Sequence, residues 1–384
     1  MLKKIILRSA IALSITFFLC ISLLYISGNG FIVTGVQRTY LVGKNTANIN
    51  DHNEFETNVI EASSEQAIPK HPNYNQKHLP TAFEKELNET QTAAFIVIQD
   101  GQVLYEKYHS GYDERSKTNS FSMAKTVTTL LLGIAIEEGF VRDLDQVVTD
   151  FIPEFEGDSL AEKATIGEFS AMTSGYDWDE QYYSPFSPTV ELYYGDDVSD
   201  FLVNRGFSDE PGSNWYYSSA STQLMGIFLR RAIQKARGNF SLSDYLSEKL
   251  WKPMGMNDDA LWHTDNTGME LTYCCINTNA RNFAKLGLLM LNNGNWQGQQ
   301  LVPASHIKQM IKPRGDKTYG LSTWLGLHKS PAFYSFVGHL GQFVIIVPEH
   351  NMVIVRLGEK PYPTTDFISV TVPHYIDAVQ NLIN

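Results

Sequence analysis

The chain is poor in cysteine and in basic charge, and it lacks several short patterns that mark common enzyme classes. Three cysteines occur in 384 residues, too few for a disulfide framework. Cys274 and Cys275 are adjacent. A bridge between neighbours is strained, so two buried thiols are expected there. No C-x-x-C or H-E-x-x-H occurs, and the ten histidines are scattered without ligand spacing. A metal site therefore has little footing, and no cofactor is expected. Lys and Arg number 30 against 42 Asp and Glu, a net charge of −12. That balance argues against nucleic acid as a partner, because phosphate binding needs clustered cations. No G-x-S-x-G elbow is present, which removes the α/β-hydrolase arrangement at its first requirement. No internal repeat stands out.

What is present can fold. Hydrophobic residues make up 43% and aromatic residues 12% of the chain, enough for a sizeable core. A single large α/β domain fills most of the length. At the N-terminus Lys3, Lys4 and Arg8 precede an apolar run from Ser9 to Ile26. Roughly 18 residues is near the lower limit for spanning a bilayer. The positive flank stays in the cytoplasm, so the rest of the chain is expected outside. Tyr25 and Ser27 make a poor small-x-small cleavage site, which favours a retained membrane anchor; a cleaved signal and a secreted domain are the alternative. Bulky Phe17, Phe18 and Leu19 before Cys20 do not suit a lipoprotein signal, leaving Cys20 as an apolar thiol in the span. The organisation expected is an anchor or signal over 1–27, a juxtamembrane linker over 28–79 rich in Asn, Thr and Gly, and one domain over 80–384. Its location is the outer, periplasmic side of the cytoplasmic membrane. Oligomeric state leaves no mark on the sequence.

Within the domain, 80–89 reads as a short helix. Residues 93–108 read as a hairpin, with Asp100-Gly101 as the turn between Phe95-Ile96-Val97-Ile98 and Val103-Leu104-Tyr105. A helix is expected over 122–138, capped by Ser120 and ended by Gly139. It is apolar on most sides, as a buried central helix would be. A further helix is expected over 222–235. Residues 343–347 and 352–355 form a second hairpin, and 366–384 close with a helix. Hairpins at both ends with helices between predict an α+β domain: one antiparallel sheet built from both termini, flanked by helices, with a mainly helical region inserted.

Three stretches carry chemistry. In Phe121-Ser122-Met123-Ala124-Lys125, Ser122 and Lys125 lie three apart and share a helix face. A serine needs a base within hydrogen-bond reach to become a nucleophile. The helix N-terminus suits a developing oxyanion, and apolar surroundings lower a lysine pKa towards a neutral amine. By itself S-x-x-K also fits a capping serine followed by a surface lysine. In Pro211 to Ser219, a tyrosine can relay a proton, although Tyr216 and Tyr217 equally suit an aromatic core. In Gly338-His339-Leu340-Gly341-Gln342, the glycines before a strand permit close backbone approach by a ligand. The acidic and aromatic loop Asp177-Trp178-Asp179-Glu180, with Trp215 and Tyr216, is a candidate pocket wall.

In this order the three stretches resemble the serine β-lactamase and penicillin-binding-protein superfamily, in its class C-like branch. The chain is similar there to 6-aminohexanoate-dimer (nylon-oligomer) hydrolases and related esterases. The segments carrying the likeness are FSMAKTVTTLLLGIAIEEG, TIGEFSAMTSGYDWDE, YYSSASTQLMG, CCINTNARNFAKLGLLMLNNGNWQG and GHLGQFVIIVPEHNMVIVRLG. The resemblance implies Ser122 as acyl-forming nucleophile, Lys125 as its base and Tyr217 as proton relay. It implies the backbone N–H groups of Ser122 and Gln342 as oxyanion hole. It sets Ser219, His339 and Gly341 against the substrate, with Trp178 and Trp215 as further candidates. Ser219 departs from the usual asparagine, and His339 from the usual lysine. Both departures favour small amides, esters or short peptides over β-lactams. D-amino-acid peptidase activity on cell-wall peptides is a second expectation, and a non-catalytic penicillin-binding-type sensor a third.

Overall fold

The computed structural model describes residues 2–383. Helix α1 (Leu2–Ile26) has 25 residues, none of them buried. At 1.5 Å per residue it is about 37 Å long, more than a hydrocarbon core of about 30 Å requires. Among the described residues it is the one helix long and apolar enough to cross a membrane. Helix α2 (Gly30–Arg38) follows at once, and its Phe31 is buried with Phe55 and Tyr194. The stretch 28–79, read from sequence as a linker, thus carries ordered elements, including strand β1 (Thr57–Ile60).

The chain continues through α3 (Thr81–Glu89), the hairpin β2 (Thr92–Gln99) and β3 (Gln102–Tyr108), short β4 (Thr118–Asn119) and α4 (Met123–Glu137). The middle region is mainly helical and includes α5 (Ile166–Ala171), α6 (Pro188–Tyr194) and α7 (Ser219–Arg237). Strands β5 (Ala260–His263) and β6 (Ile276–Thr278) precede α8 (Ala280–Leu291). Strands β7 (Trp324–Gly326), β8 (Phe333–Gly338), β9 (Gln342–Val347) and β10 (Met352–Gly358) come next, then α9 (Val372–Ala378).

The main sheet has six strands in the order β3-β2-β10-β9-β8-β7, every pair antiparallel. It is built from both chain ends, as expected. The reason lies in β2 and β10, which join side by side with Val97 opposite Ile354. Their residues are apolar on both faces. Ile96 and Ile98 enter the core on the α4 side, while Phe95 and Val97 enter a second core with α3 and α9. A strand buried on both faces needs a helical layer on each side. Asp100 and Gly101 both adopt positive φ, 50° and 74°, as a two-residue hairpin turn requires. The second sheet, β1-β5-β6-β4, had no signature in the sequence: its strands are short, and Thr57 finds His263 far along the chain.

Helix α4 departs from expectation at its start. Ser122, not Ser120, occupies the capping position, and its side chain makes no capping bond. Ser120 instead donates to the Phe121 carbonyl and accepts from the Ile276 N–H. Phe121 has φ 45°, a sparsely populated conformation for an aromatic residue and one often found at functional sites. It turns the chain sharply into the helix and leaves the Ser122 hydroxyl unspent. Every residue from Met123 to Ala135 is buried, and Gly139 has φ 74° just past the end, as a terminating glycine should.

The cysteine expectation is overturned. Cys274 and Cys275 are joined by a disulfide between neighbours, in place of two thiols. The backbone makes this pairing geometrically accessible, because Cys275 sits at φ 78° in the tight turn before β6.

Candidate active site

Ser122 stands at the N-terminus of α4, and Lys125 lies one turn on, 1% exposed. The lysine Nζ donates to Ser122 Oγ at 3.2 Å, to Ser219 Oγ at 3.1 Å and to the Tyr273 carbonyl at 3.0 Å. Three donors meet three acceptors, so the ammonium is fully satisfied although buried. Burial pushes its pKa down to about 8, with the Glu180 charge pulling the other way. A surface lysine would titrate near 10.4.

Tyr217 directly precedes the cap of α7, where Ser218 accepts from the Ser221 N–H. The tyrosine ring lies under the lysine, with Nζ 4.9 Å from its centroid. It stacks on Trp324 at 5.6 Å. Burial holds the Tyr217 hydroxyl well above the ordinary tyrosine range, partly offset by its interaction with Ser122. The group is therefore a neutral proton donor at physiological pH, not a tyrosinate.

Ser219 opens α7 and is buried. Its hydroxyl donates to Glu180 Oε1 at 2.6 Å and its backbone N–H donates to Oε2 at 2.8 Å. Glu180 also accepts from Trp178 Nε1 at 2.6 Å and from the Tyr182 hydroxyl at 2.5 Å. A carboxylate with four donors is locked in orientation.

The corner 338–342 supplies the far side. Gly338 ends β8 so close to the start of α4 that a Cβ there would come within 2.3 Å of the Ser120 carbonyl. Leu340 and Gly341 follow with φ 60° and 80°. The buried Arg356 guanidinium donates to the carbonyls of Leu340 at 2.9 Å and Gly341 at 2.8 Å. A trans peptide carries its N–H opposite its C=O. Holding the Gly341 carbonyl therefore points the Gln342 N–H away from Arg356. The Gln342 side chain is itself occupied, donating to the carbonyls of His339 and Gly358. His339 stacks on Tyr182 at 5.6 Å and meets Phe121 edge-on at 5.5 Å. Burial lowers its imidazole pKa below the ordinary value, so it is uncharged at neutral pH.

A cleft of about 400 Å³ is lined by Ser122, Tyr217, Trp324, His339 and Gly341, among others. Of the sequence candidates, Ser122, Tyr217, His339 and Gly341 line this cleft, whereas Lys125, Ser219, Gln342, Trp178 and Trp215 do not. Trp178 is buried behind Glu180 as its hydrogen-bond donor. Trp215 packs on Tyr319 and Trp324, behind the wall that Tyr217 forms. Trp324 takes the lining position instead; it lay in a stretch without any motif. The Tyr273 carbonyl was likewise invisible, since any residue type offers a carbonyl. Glu180 was flagged only as part of an acidic loop. Its bond to Ser219 depends on a long-range fold contact. Among the described residues, no group of three or more His, Cys, Asp and Glu gathers as a metal site.

The family model described as Beta-lactamase matches residues 81–371. The chain belongs to the β-lactamase family. For this β-lactamase-family chain, curated relatives include the 6-aminohexanoate-dimer hydrolase of Paenarthrobacter ureafaciens. It is 26% identical over 312 residues, covering 74% of this chain and 76% of the relative. A Bacillus anthracis protein named as a candidate 6-aminohexanoate-dimer hydrolase is a solved structural neighbour. It has a TM-score of 0.73 and 25% identity, covering 85% of this chain and 92% of the neighbour. A family VIII carboxylesterase shares the fold, with a TM-score of 0.62 and 16% identity over 85% of this chain and all, 100%, of its own. The β-lactamase-family assignment carries the coarse chemistry with it: a serine hydrolase with a β-lactamase/transpeptidase-like fold.

Proposed function

We propose that this protein is a membrane-anchored hydrolase that opens amide or ester bonds through an acyl-enzyme at Ser122, with its domain outside the cytoplasmic membrane. The observation that carries the reading is Lys125: buried, with a pKa near 8, and 3.2 Å from the Ser122 hydroxyl. At pH 7 about one such lysine in ten is already neutral. The neutral amine takes the Ser122 proton as Oγ attacks the substrate carbonyl carbon. The oxyanion is received by the N–H groups of Ser122 and Gln342. Collapse of the tetrahedral intermediate breaks the C–N or C–O bond. The proton taken by Lys125 leaves through the Tyr217 hydroxyl to the departing amine or alkoxide. A water then attacks the acyl carbon while its proton returns along the same route. Ser122 Oγ departs and regains a proton. Ser219 keeps the lysine aimed, taking the place of the family's usual asparagine.

The test is covalent labelling. An active-site phosphonate should add mass to the peptide containing Ser122, and Ser122→Ala should abolish both the adduct and ester turnover. Unlabelled Ser122 in protein that hydrolyses a chromogenic ester would overturn the assignment.

A further inference from the structure

Three cavities open on Ser122 or on its neighbours Tyr182 and His339, and no Asp, Glu, Lys or Arg lines any of them. Their only titratable lining groups are tyrosines and His339, and burial favours the neutral imidazole. A carboxylate or ammonium on a bound substrate would lose hydration there without a counter-charge in the lining, and the Lys125 ammonium behind Ser122 is already spent on three acceptors.

The largest of the three, about 590 Å³, runs between α2 and the loop Tyr182–Pro185 and reaches His339 and Leu340. Ile32, Val36 and Tyr40 form its wall on the α2 side. Tyr183 lines both this groove and the cleft beside Ser122, so the two adjoin. The groove also lies next to the anchor. Only Ser27, Gly28 and Asn29 separate α1 from α2, and the Tyr25 ring packs against Gly30, 2.8 Å from where a Cβ would stand. Helix α2 spans about 13 Å, so Ile32 and Val36, which lie on it, are within that distance of its start at Gly30. Around the mouth, large side chains face outward: Tyr40 is 64%, Leu41 74%, Tyr183 92% and Phe186 66% exposed. Tyrosines of this kind suit a membrane–water boundary, with an apolar ring and a wet hydroxyl.

We propose that the groove along α2 seats the hydrocarbon chain of an uncharged amphiphilic ester or amide that reaches Ser122 from the bilayer. The inference rests on the hydrolase and retained-anchor readings above and adds the substrate class. The chain lies against Ile32, Val36 and Tyr40. The scissile carbonyl sits at Ser122, beyond Tyr183. The acyl-transfer step is unchanged: water supplies the hydroxyl of the released acid, and the leaving group takes the proton.

The experiment uses the full chain reconstituted in phosphatidylcholine vesicles, with p-nitrophenyl butyrate, p-nitrophenyl laurate and the charged p-nitrophenyl monoester of succinate. Laurate is expected to exceed butyrate in kcat/KM by at least about tenfold, through burial of its added methylenes. The succinate monoester is expected about tenfold or more below butyrate, through its unpaired charge. Val36→Asp should lower the laurate-to-butyrate ratio, because it puts a charge into the groove wall. Equal or greater kcat/KM for butyrate, or a succinate monoester hydrolysed as fast as butyrate, overturns the groove assignment. Ser122→Ala separates the two failures. If it is inert while the wild type prefers the short or charged ester, only the substrate class falls. If it retains turnover, or the wild type cleaves none of the three esters, the hydrolase reading falls as well.

Discussion

Ser219 Oγ stands between Glu180 and Lys125, donating to the carboxylate at 2.6 Å and accepting from the ammonium at 3.1 Å. Because its one proton is committed to Glu180, its lone pairs are left for the lysine. The serine is thus an oriented acceptor, and a charge about two hydrogen bonds away bears on the proposed base.

The first consequence is a pH profile. As the proposed base, Lys125 must be neutral to act, and burial puts its pKa at about 8. The value of kcat/KM for an ester should therefore rise with pH up to about 8 and level off above it. A limb centred near 10 would mean that the lysine is solvated and the buried geometry wrong.

Replacing Glu180 by glutamine removes the negative charge that partly restores the Lys125 pKa. Glu180→Gln should therefore move the acid limb of the profile to lower pH. It should also lower kcat, because the Ser219 orientation is no longer fixed by a carboxylate. A fall in kcat alone, with the limb unmoved, would indicate a loss of positioning without electrostatic coupling. A limb moved to higher pH would contradict the relationship.

Arg356 makes a different kind of prediction. Its guanidinium is buried and donates to four carbonyls, those of Thr90, Leu340, Gly341 and Lys360. Arg356→Met should leave these acceptors without their donor and cost at least about 3 kcal/mol, read as a fall in the denaturant midpoint. Because two of the carbonyls belong to the turn before Gln342, kcat should fall while KM changes little. An unchanged kcat in folded protein would remove Arg356 from any role in aiming the Gln342 N–H.

Much of the fold was legible in the sequence, for reasons that are local. The hairpin at Asp100-Gly101 was readable because that turn demands two positive φ values and those residue types allow them. Helix α4 was readable because a 15-residue segment that is apolar on most sides has few other places to go. Ser120 was misassigned as its cap because capping propensity ranks residue types, whereas Phe121 at φ 45° decides which serine starts the helix. The cysteine pair was misjudged for the same reason: sequence gives adjacency, and only the turn at Cys275 brings the two sulfurs together. Trp178 and Trp215 were plausible pocket residues by type, yet both stand behind the wall, holding Glu180 and backing Tyr217.

By itself, the sequence determined the family, the anchor-like first helix, the two-ended sheet, and the types and order of Ser122, Lys125, Tyr217 and the 338–342 corner. These are properties of short segments, governed by local geometry and by residue chemistry. The tertiary structure alone decided what surrounds them: the carboxylate behind Ser219, the carbonyl of Tyr273 on the lysine, the arginine behind the Gln342 turn, and the uncharged groove beside α2. Each depends on residues far apart in the chain meeting at hydrogen-bond or van der Waals distance. Such meetings are fixed by how sheets and helices pack, a choice that no local pattern encodes.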